Sequence, residues 1–241
     1  MTRSQPYQRV LLKISGEAFC QPGGFGIDPD RLRALVEELI GLREMDVQVG
    51  LVAGGGNFLR GKTLALKTMI PRATADAMGM LATVMNALAL REAAESAGWP
   101  ARVLSAVPTP GFCEQYNRHR ALYHLEVGRL TILAGGTGNP FFSTDTCAAL
   151  RASELDADVL LKATKVDGVF DSDPAVNPDA QRIDRLDYGE VLARQLGVMD
   201  LAAVSMCMES RIPVVVFNMT VHGNLAAAVR GEDVGTTISA Y

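Results

Sequence analysis

The sequence has few of the residues that form disulfide bonds in small secreted domains or that bind metals. Its four cysteines are dispersed, with no C-x-x-C pair, and it has only three histidines and one tryptophan. His119 and His124 are five residues apart, a spacing that does not place both on one helical face. Dispersed cysteines of this kind indicate free, buried thiols in a reducing compartment rather than a disulfide framework or a zinc site.

An excess of basic residues is also lacking. The chain has 23 Lys and Arg against 27 Asp and Glu, for a net charge of −4. General nucleic-acid binders and membrane-surface binders need a basic face, so the composition argues against both kinds of partner. Near the start, Lys13 interrupts the apolar run Val10–Ile14, and we expect no signal peptide and no segment approaching a membrane span. The expected location is the cytoplasm.

Apolar residues are plentiful, at 48% of 241 residues, which is enough for one large domain or two closely joined lobes. Apolar strand segments alternate with amphipathic helices along the whole chain. This alternation predicts an α/β fold with a mostly parallel central sheet. Ligands of such sheets bind beyond the carboxyl ends of the strands, so we expect the functional residues to follow the strands directly.

The most informative strand end is the segment Thr131–Thr146, T-I-L-A-G-G-T-G-N-P-F-F-S-T-D-T. We expect a strand over Arg129–Ala134 and a helix over Asp145–Leu155. A glycine-rich turn between a strand and a helix gathers backbone N–H groups and a positive dipole end at one point. The segment predicts an anion site, most often a phosphate site. An ordinary tight turn before a capped helix is the simpler alternative.

Polar clusters follow two other predicted strands. Lys13 ends an apolar first strand, just before Ser15-Gly16, and a lysine on a central strand needs an anionic partner. The next strand, Val47–Ala53, leads into three glycines and then Arg60, whose guanidinium suits phosphate as a fork of donors. Both clusters therefore predict further phosphate-binding positions at the same edge of the sheet.

A long polar loop is expected over Lys162–Pro174. Loops of this length inside a compact domain are usually functional or disordered. Phe170 would lie against a purine base, with Lys165 and Asp173 at the phosphate and sugar ends. A solvated surface loop is the alternative.

A long helix is expected over Arg72–Ala97, with Gly98 as its stop. Asp76 lies in its first turns, close to the ligand that the preceding glycine turn would hold; a carboxylate that only complements the helix dipole is the alternative. We expect the methionines to be core filler and the apolar side to consist of Ala77, Met80, Leu81, Val84, Met85, Leu88 and Ala89.

Two nucleotide-binding motifs are disfavoured. Gly56–Thr63 fits the P-loop pattern G-x-x-x-x-G-K-[ST]. However, two further glycines separate it from the strand, the following helix must stop by Pro71, and no apolar strand ends in a magnesium-binding aspartate. The dinucleotide pattern G-x-G-x-x-G also fails, because its sixth position is Leu59 in one glycine run and Phe141 in the other.

Several predicted phosphate-binding positions, together with two or three fixed cations, suggest a reaction between two phosphorylated ligands. Phosphoryl transfer depends mostly on positioning and charge neutralisation, which these groups supply. The motifs L-L-K-I-S-G-E-A, G-G-G-N-x-x-R-G, D-A-M-G-M-L-A-T-V-M-N, G-T-G-N-P-F-F-S-T-D and L-K-A-T-K-V-D-G-V-F together resemble those of the bacterial uridylate (UMP) kinases, in the amino acid kinase superfamily. The resemblance covers nearly the whole chain in the right order.

This resemblance implies an open αβα sandwich in a single domain over residues 1–241, with a UMP-binding lobe over about 1–155 and an ATP-binding lobe over about 156–241. It implies transfer of the γ-phosphoryl of ATP to UMP in pyrimidine nucleotide synthesis. Mg²⁺ would enter as MgATP, and the protein would be a homohexamer. No general base titrating near neutrality is expected, because a phosphate nucleophile is already ionised.

The same resemblance assigns roles to individual residues. The residues implied to be catalytic are Lys13, Arg60, Asp145 and Lys165. Those on the ATP side are Lys13, Ile14, Ser15, Gly16, Gly56, Arg60, Thr164, Phe170 and Asp173. Those on the UMP side are Gly55, Asp76, Thr137, Gly138, Asn139, Pro140, Phe141, Phe142, Ser143 and Thr144. Asp145 and Asp200 resemble carboxylates that orient lysines.

Two alternatives on the same fold remain. Other kinases of the superfamily act on carbamate or acyl substrates and share the first lysine, but the G-T-G-N-P-F-F stretch favours a nucleotide. A binding protein without enzymatic activity, such as an oxometalate store, would need clustered histidines and carboxylates in a cavity. Three scattered histidines do not provide them.

Overall fold

The computed structural model describes residues 6–172, 176–177 and 179–240. In these residues the chain forms eleven strands, eight α-helices and a 3-10 turn over Gly16–Phe19. The strands are β1 (Arg9–Ile14), β2 (Gln48–Ala53), β3 (Ala101–Ser105), β4 (Glu114–Gln115), β5 (Leu130–Ala134), β6 (Val159–Thr164), β7 (Val169–Phe170), β8 (Arg182–Ile183), β9 (Arg185–Asp187), β10 (Val214–Asn218) and β11 (Thr236–Ser239). The helices are α1 (Pro29–Arg43), α2 (Gly61–Lys67), α3 (Arg72–Ser96), α4 (Arg118–Glu126), α5 (Thr144–Glu154), α6 (Tyr188–Ala193), α7 (Leu201–Ser210) and α8 (Asn224–Val229).

Nine strands form one sheet in the order β4-β3-β5-β2-β1-β6-β10-β11-β9, and β7 pairs with β8 in a separate antiparallel hairpin. Strand β11 runs antiparallel to β10, while the other neighbours in the large sheet are parallel. The prediction of a mostly parallel sheet is confirmed. Strand β1 lies in its middle, where Lys13 is level with Val52 of β2 and with Lys162 of β6.

Helices cover both faces of the sheet. Side chains of α1, α3 and α8 fill the core on one face, and those of α4, α5, α6 and α7 fill the core on the other. Successive residues of a strand point to opposite faces, so Val10 and Leu12 of β1 enter the first core and Leu11 enters the second. The fold is therefore the three-layer αβα sandwich expected from the sequence.

Helix α3 buries only part of the side that was predicted to be apolar: Val84 lies in the core and Leu88 packs against it. Its buried residues are Ala75, Ala82, Thr83, Val84, Asn86, Ala87, Leu90 and Ala94. Leu81 is 51% exposed and Met85 is 46% exposed, so the prediction that the large apolar side chains of this helix fill the core is wrong for both. Small residues on the inner side let the helix lie close to the glycine-rich turns, which leaves the larger apolar residues outside.

Helix α3 also contradicts the expectation that no segment approaches a membrane span. It is 25 residues long, and its most apolar 18-residue window is apolar enough to cross a membrane. However, 39% of that window is buried inside the protein, and the helix packs against β3 and β5. Core helices of soluble proteins can be as long and as apolar as α3, so its length and composition are weak evidence for a membrane-spanning segment.

The expected long loop after β6 is shorter in the structure. Strand β6 continues to Thr164, and Val169 and Phe170 form β7, where the Thr236 hydroxyl accepts a hydrogen bond from Val169 N at 2.8 Å. Asp173 and Pro174 lie outside the described residues. Of the four cysteines, Cys113 is half-buried and the other three are buried, and all four are free as predicted.

Candidate active site

Two cavities open beside Lys13 at the carboxyl edge of the sheet. The larger cavity, of about 560 Å³, is lined by Lys13, Ile14, Ser15, Glu17, Ala18, Arg31, Ala34, Leu35, Glu37, Glu38, Lys162, Ala163, Thr164, Lys165, Met219, Thr220 and His222. The smaller cavity, of about 430 Å³, is lined by Lys13, Ser15, Gly16, Gly54, Gly55, Gly56, Leu59, Arg60, Gly61, Lys62, Thr63, Arg72, Asp76, Gly79, Met80, Thr83, Gly136, Thr137, Asn139, Phe142, Ser143, Thr144 and Asp145. Lys13 and Ser15 line both, so ligands in the two cavities would meet there.

The turns after β1 and β2 touch each other at this junction. A Cβ atom on Gly16 would lie 2.5 Å from Gly56 N and 2.8 Å from Gly54 O, which no side chain tolerates. Glycine is therefore required for this close approach. The contact brings the Ser15-Gly16 turn and the Gly54–Gly56 turn to the wall of one cavity.

Asp145 joins two lysines at the junction. Its Oδ1 atom lies 2.8 Å from Lys13 Nζ in an ion pair, and its Oδ2 atom accepts a hydrogen bond from Lys162 Nζ at 2.7 Å. Ser143 caps the N-terminus of α5, with its hydroxyl accepting a hydrogen bond from Asp145 N at 3.0 Å, and so fixes where this carboxylate emerges. The register of the sheet places the two lysines side by side, so a carboxylate between them relieves their repulsion. This arrangement is the Lys13–Asp145–Lys162 cluster.

Burial and charge act in opposite directions within the cluster. Burial raises the pKa of Asp145, but the positive charges of Lys13 and Lys162 outweigh it and hold that pKa below its usual range. Burial also lowers the pKa of Lys162, and the nearby Asp145 charge opposes that effect. Asp145 therefore stays ionised at neutral pH, where it can orient the two ammonium groups toward the cavities.

A second, more exposed carboxylate lies between two further cations. Glu17 pairs with the guanidinium of Arg60, and its Oε2 atom is 3.6 Å from Lys165 Nζ. The Arg60 side chain is 63% exposed and that of Lys165 is 47% exposed, so water screens these contacts. Ligand phosphates have to compete with Glu17 for both cations. Glu17 was not identified from the sequence.

Asp76 contacts the turn after β5 as well as its own helix. Arg72 Nε lies 2.8 Å from each Asp76 carboxylate oxygen, and Phe141 N donates to Oδ2 at 2.9 Å. Gly138, Pro140 and Phe141 belong to the same turn as Thr137, Asn139, Phe142, Ser143 and Thr144, which line the smaller cavity. The structure thus brings Asp76 and this predicted UMP-side segment together.

Two other predicted residues, Asp200 and Phe170, have different surroundings. The Asp200 oxygens accept hydrogen bonds from Thr146 Oγ1 at 2.9 Å and Ala203 N at 3.0 Å, and also from the Ser143 hydroxyl. Asp200 therefore fixes α7 to the start of α5, and its charge also acts on Lys162 without forming an ion pair with it. Phe170 lies in the β7–β8 hairpin, paired with Arg182, and not in the wall of either cavity. Asp173 lies outside the described residues.

The resemblance implies a catalytic role for Lys165 and assigns none to Lys162. In the structure Lys162 belongs to the buried cluster with Asp145, while Lys165 lies at the rim of the larger cavity. Each of Lys13 and Lys162 follows two leucines near the end of an apolar strand, a shared pattern that places both at the carboxyl edge of the sheet but does not show that they are neighbours.

A parallel sheet whose carboxyl edge carries glycine-rich turns and fixed cations defines a class of α/β proteins that bind phosphorylated ligands. The model of the amino acid kinase family matches residues 8–218. The chain therefore belongs to the amino acid kinase family.

Its relatives include several uridylate kinases. The chain is 51% identical to a uridylate kinase of Legionella pneumophila (strain Paris), with 100% of this chain and 98% of the relative aligned. It is 53% identical to a uridylate kinase of Pseudoalteromonas atlantica, over 98% of this chain and 96% of the relative. The crystal structure of UMP kinase from Bacillus anthracis superposes with a TM-score of 0.94 at 37% identity, covering 98% of this chain and 97% of that one.

Proposed function

We propose that this protein transfers the γ-phosphoryl group of ATP to UMP, giving ADP and UDP in the de novo pyrimidine pathway that leads to CTP. The observation that carries the proposal is the Lys13–Asp145–Lys162 cluster at the meeting point of two cavities. A fixed cation there lies where a donor phosphate and an acceptor phosphate would approach each other. The kinship with uridylate kinases supports the identity of the acceptor.

UMP occupies the smaller cavity in this proposal, and the triphosphate of ATP reaches Lys13 from the larger one. Of the residues assigned to the ATP side, Lys13, Ile14, Ser15 and Thr164 line the larger cavity, whereas Gly16, Gly56 and Arg60 line only the smaller one. The strand order supports a division into lobes near residue 155, because the strands on one side of the β1–β6 pair all precede that residue and those on the other side follow it.

The chemical step needs charge neutralisation more than proton transfer. An oxygen of the UMP phosphate attacks the γ-phosphorus of ATP, the bond from that phosphorus to the β,γ-bridging oxygen breaks, and ADP leaves with the electron pair. Lys13 and Lys162 neutralise charge on the transferring group, and Asp145 orients them. When the nucleotides bind, Arg60 and Lys165 give up their contacts with the Glu17 carboxylate and contact phosphate oxygens instead.

Mg²⁺ enters with ATP in this proposal. Among the described residues, no three His, Cys, Asp or Glu side chains come close enough together to hold a metal ion. Mg²⁺ in kinases is commonly bound through one or two carboxylates plus substrate phosphates, which is compatible with this site. The reaction is placed in the cytoplasm, where the four free cysteines would remain reduced.

UMP is expected to be phosphorylated far faster than CMP. A pocket that hydrogen-bonds the uracil edge leaves buried groups unpaired when cytosine enters, which lowers kcat/KM by orders of magnitude. A coupled assay of the purified protein against UMP, CMP, dTMP and GMP measures this. Comparable kcat/KM for UMP and CMP would contradict the assignment, and activity on carbamate or an acyl acceptor instead of UMP would favour another branch of the family.

We further propose that the protein assembles as a homohexamer. Support comes from the outer side of α3, where three large apolar side chains are exposed: Met78 by 37%, Leu81 by 51% and Met85 by 46%. A contiguous apolar row on one helix is typical of a subunit contact.

Replacing Met85 with glutamate is expected to reduce the assembly to smaller species, because a charge would be buried in an apolar contact. Met208 on α7 provides a matched control, since it is also a methionine on a helix and is 42% exposed. Light scattering coupled to size exclusion would give the mass of wild type, Met85→Glu and Met208→Glu. A monomeric wild type, or equal masses for both variants, would rule out this contact.

A further inference from the structure

The glycine-rich turns of the site rest on two buried polar side chains of α3. Thr83 is 6% exposed and Asn86 is fully buried. Their neighbours on the inner side of the helix are alanines, valine and leucine. Polar groups in such surroundings destabilise a fold unless they are hydrogen-bonded, so their partners show what they are for.

Asn86 holds the turn after β2. Its amide nitrogen donates to Gly54 O at 2.7 Å and to Asn57 Oδ1 at 2.7 Å, while Asn57 donates back to Asn86 Oδ1 at 3.0 Å. Asn57 also donates to Gly26 O at 2.8 Å. This reciprocal amide pair fixes both ends of the Gly54–Gly56 turn, which lines the smaller cavity beside Gly16.

Thr83 holds the turn after β5. Its hydroxyl accepts a hydrogen bond from Gly135 N at 2.8 Å and donates to Met80 O at 2.7 Å. Gly135 has a φ of +76° and begins the turn that continues through Gly136 and Thr137 into the wall of the smaller cavity. The hydroxyl therefore fixes the point where that turn leaves the strand.

The turns also pack directly on the helix. A Cβ atom on Gly55 would lie 2.8 Å from Gly79 O and 2.9 Å from the Ala82 side chain. Because the helix is rigid and the turns contact it without intervening side chains, the positions of both turns are set by the same stretch of α3, Gly79–Asn86.

We propose that Thr83 and Asn86 are positioning residues for phosphoryl transfer: Thr83 sets the acceptor-side turn that begins at Gly135, and Asn86 sets the Gly54–Gly56 turn at the junction. The inference rests on the proposed UMP kinase activity. The hydrogen bonds of both side chains go to the protein, so both act through the turns that they hold, although Thr83 also lines the smaller cavity. Since each serves a different turn, their loss gives different kinetic signatures.

The test for Thr83 compares two matched substitutions. Thr83→Val keeps the branched shape and removes the hydroxyl, whereas Thr83→Ser keeps the hydroxyl and removes a methyl group. Thr83→Val is expected to raise KM for UMP about tenfold and to change KM for ATP less than about twofold, because only the acceptor-side turn loses its anchor. Thr83→Ser is expected to keep a KM for UMP close to that of wild type, even if its Tm falls.

Asn86→Leu supplies the contrasting measurement. It keeps the branched shape of the side chain and removes the amide that donates to Gly54 O and to Asn57 Oδ1. We expect kcat to fall about tenfold or more, since the displaced turn lies at the junction where transfer occurs. If the wild type phosphorylates UMP but Thr83→Val leaves KM for UMP unchanged, or shifts both KM values equally, the positioning role is wrong. A wild type inactive on UMP would instead refute the proposed function.

Discussion

Lys13→Ala is expected to lower the turnover of UMP by roughly 10³-fold or more, because a positioned cation on the transferring phosphoryl group is removed. Lys13 lies at the junction of the two cavities with its side chain 13% exposed, and Asp145 fixes its ammonium group. Water replaces so buried a charge poorly. Steady-state turnover at saturating MgATP and UMP measures the loss.

Lys62→Ala is the matched control, and it is expected to lower turnover at most a few-fold. Lys62 is the lysine of the P-loop-like pattern Gly56–Thr63, and it lies exposed in the first turn of α2, at the edge of the smaller cavity. In a P-loop it would reach the β- and γ-phosphates, and its loss would abolish catalysis. Circular dichroism would establish that both variants are folded. An inactive Lys62→Ala beside an active Lys13→Ala would overturn the mechanism.

Asp145→Asn is expected to lower turnover by about 10²-fold or more while the protein remains folded. The amide cannot neutralise two adjacent lysines, so their ammonium groups move apart and no longer converge on the transferring phosphate. Asp187→Asn, at the N-cap of α6, tests whether any Asp to Asn change at a helix start has this effect, since asparagine also caps helices. The turnover of Asp187→Asn should stay close to that of wild type, so the two variants should differ by about 10²-fold or more.

Measuring the free energy of unfolding against pH shows how much Asp145 stabilises the fold, separately from its role in orienting the two lysines for catalysis. Its pKa is lowered in the folded protein, so its ionised form stabilises the fold above the unfolded value near 3.9, and that contribution is lost as pH falls through the folded value. Wild type and Asp145→Asn are expected to differ in stability at neutral pH and to converge in acid. A fully active Asp145→Asn with a large loss of stability would show that Asp145 only supports the fold.

Local patterns in the sequence were sufficient for much of this structure. Apolar runs followed by glycine predicted the central strands, because strand ends depend on neighbouring residues. The motifs also predicted the family, and with it the layered αβα arrangement. Apart from Phe170, the described site residues that they indicated gather at one edge, since parallel strands carry their carboxyl ends there.

Tertiary structure alone decided which face of α3 is buried and which groups Asp145 joins. Sequence periodicity places apolar residues on one side of a helix, but it cannot show that close contact with glycine turns favours small residues, Thr83 and Asn86 on the inner side. The pairing of Lys13 with Lys162 depends on the register of two strands nearly 150 residues apart in the chain. Asp145 comes from a third element, and the three meet only when the sheet and α5 pack together, because ion pairs between distant segments leave no local signal.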